Sequence, residues 1–381
     1  MKPVKNRIAV AFLILLFVAC GTPAPEATEA PMPEPTATPE PPPLRVMTYD
    51  SFSVSEEVIA QFEAEHNAKV QFLKAGDTGA MLNQAILSRD NPQADVLYGV
   101  DNTFLSRALE ADIYVPYEAE NLAHIPDHLE LDPQHRVVPT DFGDVCLNYD
   151  KAYVEEHDLP VPQRLQDLTK PEYEGLLVVQ NPASSSPGLA FLITTIGVMG
   201  ASEETTTGLL GTAEGTTYLD FWADLRENDV LVVDGWDTAY YSEFSGGSGS
   251  EGTRPLVVSY ATSPAAEVYF SNDDSEELES PPTGAITAPQ TCFRQIEFAG
   301  ILKNGQHREL AEAFIEFLLS ESFQEDIPLQ MWVFPAREDV TLPEVFAEHA
   351  QVAEEPVEMA YDAIEEQRRA WIEAWTETVL R

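Results

Sequence analysis

The chain has 381 residues and is strongly acidic, with 21 lysine and arginine residues against 65 aspartate and glutamate residues and a net charge of −44 at pH 7. This length is sufficient for two α/β domains, each with its own core. Without a basic stripe, the chain is not suited to binding nucleic acid through the phosphates. The acidic excess indicates a well-solvated surface and says nothing about the fold.

The first 43 residues predict export and a lipid anchor. Residues 1–19 combine three basic side chains with an apolar run too short to span a bilayer, a pattern typical of a signal peptide. The segment from Phe17 to Gly21 resembles a bacterial lipoprotein cleavage site, with Cys20 as the predicted lipidation site. Residues 20–43 are rich in proline, alanine, threonine and glutamate, which predicts an extended, lipid-anchored linker. We therefore expect a lipoprotein at the cell surface or in the periplasm, in contact with the bilayer through this anchor.

Strands alternate with helices in the rest of the chain, which predicts βαβ units and mainly parallel sheets. In chain order the predicted elements are strand Arg45–Tyr49, helix Ser53–His66, strand Lys69–Leu73, helix Gly76–Ser88, strand Asp95–Val100, helix Thr103–Ala111, strand Leu176–Gln180, helix Thr217–Asn228, strands Val230–Val233 and Leu256–Ser259, and helices Gln306–Ser320 and Ala360–Leu380. Trp371 and Trp375 of the last helix are predicted to be core residues.

Two segments break this alternation and predict passages between two lobes. Val137–Asp150 is interpreted as two extended pieces around Gly143, and Ala288–Phe298 as the return passage. The predicted fold class is α/β, with two lobes that each contain a mainly parallel sheet flanked by helices and that are joined by a two-strand hinge. Lobe 1 is expected to comprise residues 44–143 and 292–381, and lobe 2 residues 144–291.

Cys146 and Cys292 lie in these two passages. Export permits a disulfide between them, and two unpaired buried cysteines are the competing interpretation. A catalytic thiol is disfavoured because no histidine-containing motif lies nearby. The segment Ser245–Gly252 has no phosphate-loop spacing and predicts a linker.

Polar residues mark three junctions at which a strand leads into a helix. Asp101 follows one strand, Ser186 and Pro187 follow a second, and Ser263 and Pro264 follow the third. A helix start presents free backbone N–H groups, which favour an anionic or hydrogen-bond-accepting group. The junctions therefore predict a cleft, and three ordinary helix caps are the alternative.

Aromatic and acidic side chains are predicted at the same sheet edges. Trp236, Tyr260 and either Tyr49 or Trp332 could form a slot for a planar ring. Asp50 and Asp101 end strands of the first lobe, and their carboxylates suit a cationic, nitrogen-rich heterocycle. The alternative for Trp236 is that it merely covers the end of a sheet.

Enzymatic and metal sites find little support. The chain contains no Gly-x-Ser-x-Gly, His-Glu-x-x-His or Cys-x-x-Cys motif, and none of its seven histidines has a partner at ligand spacing. We therefore predict no catalytic residue, no metal site and no cofactor. Tyr240-Tyr241 resembles the paired tyrosines of ferric-ion-binding proteins, so a receptor for ferric ion or another small cation is the alternative function.

Several motifs together resemble one family over the region from Leu44 to the C-terminus. They are Thr48-Tyr49-Asp50-Ser51-Phe52, Ala94–Asn102, Ser184-Ser185-Ser186-Pro187-Gly188-Leu189, Gly235-Trp236, Ser259–Pro264, Trp332 with Pro335, and Gln367–Ile372. In this combination the chain resembles the thiamine-binding subunits of bacterial ABC importers, which are type II periplasmic solute-binding proteins. The resemblance implies a monomeric receptor whose two lobes close on thiamine, thiamine phosphate or thiamine diphosphate and that then docks on a membrane permease.

The resemblance also implies ligand contacts at particular positions. Those from lobe 1 are Asp101 and Asn102, those from lobe 2 are Ser185, Ser186, Trp236, Tyr260, Ala261, Thr262, Ser263 and Pro264, and further candidates are Tyr49, Asp50 and Trp332. One position departs from the family pattern, because Ala266 stands where an aromatic residue is expected. Tyr240 or Tyr269 is the predicted replacement for that ring. A hydrolase of thiamine phosphates is disfavoured by the missing nucleophile and metal motifs.

Overall fold

The computed structural model describes residues 43–200, 216–273, 280–359 and 361–381. The predicted signal peptide and Cys20 lie outside the described residues, as does all of the predicted linker except Pro43. The strands of the described part are β1 Pro43–Thr48, β2 Lys69–Lys74, β3 Val96–Asp101, β4 Tyr114–Val115, β5 Val138–Asp150, β6 Leu177–Gln180, β7 Leu231–Val233, β8 Leu256–Tyr260, β9 Thr283–Ile286, β10 Phe293–Leu302 and β11 Phe334–Pro335.

The six predicted helices quoted above are confirmed, each with ends within three residues of the predicted ones. The α-helices of the described part are α1 Glu56–His66, α2 Thr78–Leu87, α3 Leu105–Glu110, α4 Lys151–Glu156, α5 Ser186–Met199, α6 Tyr218–Glu227, α7 Ser263–Asp273, α8 Arg308–Leu318, α9 Glu321–Gln330, α10 Glu344–His349 and α11 Tyr361–Val379. A π-helical turn spans Thr238–Glu243, and short 3-10 helices occur in the connections.

The strands form one sheet in the order β2-β1-β3-β10-β5-β8-β6-β7, with β4 paired to β10 and with β9 and β11 paired to β5. Pairing is parallel at the two ends of the sheet, among β1, β2 and β3 and among β6, β7 and β8. In the middle, β10 and β5 run antiparallel to their neighbours. The α/β prediction is confirmed, and the parallel character is confined to the two ends.

Strands β5 and β10 connect the two ends of the sheet. The first part of β5 pairs with β10 and its last part with β8 and β9, so the two predicted pieces around Gly143 form one continuous strand. The predicted lobe boundary at residues 143 and 144 falls inside this strand. The two-strand hinge and the lobe boundaries stay a prediction.

The structure joins Cys146 of β5 to Cys292, the residue before β10, in a disulfide with an S–S distance of 2.04 Å. Both cysteines are fully buried, beside Ala261 and Ala353. This bond fastens the two strands that connect the ends of the sheet.

Helix α11 packs on both ends of the molecule, since it contacts α6 and α3. Trp375 is fully buried and meets Trp222 edge to face, with ring centroids 5.5 Å apart. Trp371 is also buried, so the prediction that both tryptophans are core residues is confirmed. Within the described ranges, no helix is long and apolar enough to cross a membrane.

Candidate functional site

A cavity of about 880 Å³, counted with its open mouth, is lined by residues from both ends of the sheet. Its wall combines residues from the starts of α2, α5 and α7 with residues from the ends of β1 and β8 and from the middle of β10. Because helix starts carry free N–H groups, this placement favours a polar or charged ligand.

Trp236 forms one aromatic wall of the cavity. Its ring stacks on Tyr240, with centroids 5.0 Å apart and an interplanar angle of 17°. The indole Nε1–H donates to Ser259 Oγ at 2.9 Å, and Ser259 Oγ in turn lies 2.9 Å from Ser263 Oγ. These contacts fix the ring plane, so the predicted aromatic slot has a positioned wall at Trp236.

Tyr260, Trp332 and Phe270 add further aromatic surface. Trp332 has a φ of 56°, an unusual conformation for a bulky residue, and the Thr262 hydroxyl donates to its carbonyl oxygen. Thr262 itself is fully buried and holds Trp332 without lining the cavity. Thr262, a predicted site residue, therefore acts by holding Trp332, which is another predicted site residue.

Beside Ala266, the cavity receives a ring from Phe270, one turn further along helix α7. Ala266 lines the cavity, and so does Phe270, whose ring lies 5.5 Å from that of Trp332. Tyr269 contacts Trp332 but does not line the cavity, whereas Tyr240 does line it, with its ring stacked on that of Trp236. Phe270 and Tyr240, the latter one of the two predicted replacements, both present rings to the cavity.

The start of α5 brings two buried hydroxyl groups to the site. Ser185 is the N-cap residue and Pro187 occupies the second helical position. The hydroxyls of Ser185 and Ser186 are buried and have no hydrogen-bond partner of good geometry. Ser186 and Pro187 line the cavity, whereas Ser185 lies behind it near Asp77. An unpartnered buried hydroxyl is costly unless a ligand or water satisfies it.

Three carboxylates lie side by side across the middle of the sheet. In the strand register, Glu297 of β10 is directly opposite Asp101 of β3 on one side and Asp141 of β5 on the other. Residues directly opposite in antiparallel strands share a face and lie about 5 Å apart. We call Asp101, Glu297 and Asp141 the acid row. Glu297 is its member that lines the cavity.

The acid row is held by hydrogen bonds from neutral groups. Tyr49 donates to Glu297 Oε2 at 2.9 Å, Tyr98 donates to Asp141 Oδ2 at 2.7 Å, and Thr103 donates to Asp101 Oδ1 at 2.8 Å. Asp141 Oδ1 is buried without a partner. In the described part of the chain, no lysine, arginine or histidine forms an ion pair with any of the three carboxylates.

Burial of the acid row disfavours its charged forms. It raises the pKa of Asp101 to about 6 and that of Asp141 to about 6. Burial and then the charge of Asp141 raise the pKa of Glu297 well above its ordinary range. Since the members interact strongly, their protons belong to the row as a whole.

A second contact joins the two sides of the cavity at the start of α2. The Asp77 carboxylate accepts from the backbone N–H of Thr78 at 2.8 Å and from that of Trp236 at 3.1 Å. The Gly79 N–H donates to the Ser184 carbonyl at 2.8 Å. A Cβ at Gly79 would lie 2.8 Å from that carbonyl oxygen, so only glycine permits this approach.

Tyr240 and Glu267 form a buried pair across the same cavity. The Tyr240 hydroxyl donates to Glu267 Oε1 at 2.8 Å, and burial raises the pKa of Glu267 to about 7. Ser248 also lines the cavity, and its backbone N–H bonds to Glu267. The prediction of a linker at Ser245–Gly252 is therefore wrong, because this segment folds against the site.

Several predicted site residues lie away from the cavity wall. The side chain of Asn102 bonds to the backbone of β10 at Arg294 and Ile296, and exposed Asp50 accepts from the Gly76 N–H. Ala261 and Pro264 are buried, and Asp101 stands behind Ser186. The predicted residues that line the cavity are Tyr49, Ser186, Trp236, Tyr260, Ser263 and Trp332.

Residues 91–354 match the family described as bacterial extracellular solute-binding protein. The chain belongs to this family. Its fold is that of the type II periplasmic binding proteins, as the solved structures below show. Membership agrees with an exported receptor that holds a small solute between the two ends of its sheet.

Similar proteins come from several bacteria. The chain is 29% identical over 343 residues to the thiamine-binding periplasmic protein of Salmonella typhimurium, covering 89% of this chain and 94% of that protein. A solved structure of a periplasmic thiamin binding protein is 27% identical, has a TM-score of 0.75 and covers 91% of this chain and 99% of the other. The chain is also 26% identical to iron uptake protein A1 of Synechocystis, covering 76% of this chain and 75% of that protein.

The site of this protein also contains residues that the sequence pattern did not reveal. They are Asp77, Glu267, Phe270, Glu297 and, behind the wall, Asp141. Asp77 could have been recognised as a helix N-cap, since it precedes a predicted helix. Glu297 and Asp141 carry no local signal, because only the pairing of β10 with β5 brings them together.

Proposed function

We propose that the protein is an exported receptor that captures thiamine, thiamine phosphate or thiamine diphosphate and delivers it to the membrane permease of an ABC importer. It acts by reversible binding, without a catalytic residue or a cofactor. The observation that carries the proposal is the combination, in one cavity, of the aromatic wall at Trp236 with buried carboxylates that lack a cationic partner among the described residues.

Thiamine matches this combination chemically. It joins a planar aminopyrimidine to a positively charged thiazolium ring that bears a hydroxyethyl tail. Indole faces attract cations, and a buried carboxylate gains most from a charged partner. Glu297 supplies the carboxylate at the wall, and the unpartnered Ser186 hydroxyl suits the hydroxyl or phosphate of the tail. The relatives named for thiamine binding support the same ligand class.

A receptor for ferric ion is the second candidate, favoured by the relative named as an iron uptake protein and by the Tyr240-Tyr241 pair. The geometry favours it less. The Tyr240 hydroxyl donates to Glu267, and burial raises the pKa of Tyr240 well above its ordinary range, which disfavours the tyrosinate that ferric ion would need. In the described ranges, no group of three or more histidine, cysteine, aspartate or glutamate side chains is placed to hold a metal ion.

The proposal includes the predicted membrane attachment. A signal peptide at residues 1–19 would be removed, Cys20 would carry the lipid, and residues 20–43 would tether a monomeric receptor close to its permease. Labelling of the expressed protein with a radioactive fatty acid tests the anchor, and Cys20→Ser is expected to abolish the label.

Calorimetric titration tests the ligand. The purified protein, unfolded and refolded to remove any carried-over ligand, is titrated with thiamine, its two phosphates and ferric citrate. We expect saturable, one-to-one binding of at least one thiamine compound and no turnover of the phosphates. Binding of ferric citrate alone would instead support the second candidate, and release of inorganic phosphate would contradict a receptor.

A further inference from the structure

The acid row is the part of the site with the least evident role in the proposed function. Three carboxylates in register on adjacent strands repel one another if all are ionised, and water reaches them poorly, since Asp101 and Asp141 are fully buried and Glu297 is only 7% exposed. A purely structural role would be filled better by apolar residues. The row therefore needs a compensating positive charge, either a proton or a cation.

Among the described residues, no lysine, arginine or histidine forms an ion pair with the row. The guanidinium of Arg368 lies over the Phe104 ring at 5.3 Å, and its charge interacts with that of Asp101 without an ion pair. The titratable and charged groups that face Glu297 or its neighbours in the row are Tyr49, Asp77, Tyr98, Asp101, Asp141, Tyr260 and Arg368. All but Arg368 are acids or phenols.

The cavity opens on this row at one point. Glu297 lines the cavity wall, and Ser186 lines the same wall with its buried hydroxyl directed at Asp101 but without a well-aligned hydrogen bond. An unsatisfied polar group beside a carboxylate with no cation marks a place that a ligand completes. A cationic ligand that reaches Glu297 would therefore replace whatever positive charge the row holds in the free protein.

We propose that the acid row holds a proton in the free protein and exchanges it for the positive charge of the ligand. This inference rests on the proposed function, since it takes a cationic ring as the ligand. In the exchange the protonated row and the cation give an ionised row paired with the cation, and the O–H proton leaves to the solvent buffer. The site thereby selects the charge of the ligand as well as its shape.

The sign of the pH dependence follows from the exchange. Below the pKa values of the row, the cation must expel a proton and binds more weakly. Affinity therefore begins to rise near pH 6, the region to which burial raises the pKa of Asp101 and Asp141, and keeps rising at higher pH because the pKa of Glu297 is raised well above its ordinary range. It levels off once the whole row is ionised in the free protein. The rise is at most about tenfold per pH unit for each proton expelled.

The experiment compares two ligands of nearly the same shape. Thiamine and 3-deazathiamine, in which an uncharged thiophene replaces the thiazolium, are titrated by calorimetry at one pH in buffers of different ionisation enthalpy. We expect thiamine to release up to about one proton and the neutral analogue to release none. Equal proton release by both ligands, or binding of thiamine without release at every pH from 5 to 8, would overturn the inference while leaving the proposed function intact.

Variants assign the proton to the row. Glu297→Gln should reduce the release by thiamine towards zero and weaken thiamine more than 3-deazathiamine, whereas Glu309→Gln, at an exposed position of α8, should change neither. If Glu297→Gln fails to fold, Tyr49→Phe removes one donor to Glu297 and should move the rise in affinity to higher pH. An unchanged pH profile in Tyr49→Phe would contradict the proposal.

A measurement on the ligand-free protein tests the proton exchange separately from the proposed function. Infrared spectra of the free protein should show a protonated carboxyl band at neutral pH that weakens in Glu297→Gln. An absent or unaffected band would overturn the exchange even if thiamine binds. Failure of every thiamine compound to bind would overturn the proposed function and, with it, the exchange.

Discussion

Among single residues, Trp236 makes the most direct contribution to the cavity wall. Its ring is held by stacking on Tyr240 and by the bond to Ser259, so one face is presented to the cavity in a fixed plane. We expect Trp236→Ala to weaken thiamine binding about tenfold or more, the scale of a desolvated cation–π contact. Calorimetric titration measures the loss.

Trp236→Phe provides the matched control, because it keeps an aromatic face while removing the N–H group together with part of the indole ring. We expect it to retain more of the affinity than Trp236→Ala, with similar melting temperatures for both variants. Equal affinity of Trp236→Ala and the unaltered protein would refute the aromatic wall.

Residues at the ends of strands and the starts of helices were predictable from the sequence. Trp236, Tyr260 and Ser186 stand there, and local signals such as Ser-Pro and Gly-Trp mark them. Glu297 and Asp141 lie within strands instead, and the sequence shows no alternation that separates them from surface acids. Their proximity depends on register between segments about 150 residues apart, which no local pattern encodes.

At the scale of elements, helix α2 meets the loop before α5 through Gly79. The contact joins a predicted first-lobe helix to a predicted second-lobe loop, with the Ala183 and Ser184 carbonyl oxygens 2.7 and 2.8 Å from the position of a Cβ. Gly79→Ala should therefore hold the two sides apart and weaken ligand binding by about fivefold or more, as overpacking typically costs about 1–3 kcal/mol. Calorimetry measures the affinity.

The free protein offers a check on this interpretation. Alanine is a better helix former than glycine by about 1 kcal/mol, so the free energy of unfolding of Gly79→Ala should not fall by as much as the binding does. Ala80→Ser, one residue along on the exposed side of α2, adds an atom without approaching Ser184 and should bind normally. Equal affinity of Gly79→Ala and Ala80→Ser would show that this approach is not needed for binding.

Element types were predicted better than strand pairing. Periodicity and caps indicated the helices, since Thr217 and Asp220 form the reciprocal cap expected before α6. The break in β5 was predicted at Gly143, but pairing with β10 and β8 on either side outweighs this local signal. The antiparallel middle of the sheet was missed because βαβ units describe only its ends.

For the whole molecule, the Cys146–Cys292 disulfide is the main covalent constraint within the described part. It joins residues 146 positions apart, and a closed loop of this length lowers the entropy of the unfolded chain. We expect the double variant Cys146→Ala/Cys292→Ala to lose about 4–5 kcal/mol of the free energy of unfolding, measured by denaturant titration.

Reductant gives the control for this prediction. It should lower the stability of the unaltered protein towards that of the double variant and leave the double variant unchanged. A double variant as stable as the oxidised protein would show that packing around Ala261 and Ala353, and not the bond, fastens the two strands.

The position of β10 in the sheet also determines how late in folding the sheet can be completed. β10 lies between β3 and β5, yet it begins at residue 293, after both of them and after every other described strand except the short β11. When the chain emerges with its N-terminus first, more than three-quarters of its length must therefore appear before β10 can join the sheet and before Cys146 can pair with Cys292. Assembly is dominated by late, distant pairing, which is slow and leaves strand edges open while it waits. The exported chain thus depends on protection from aggregation until its last quarter arrives.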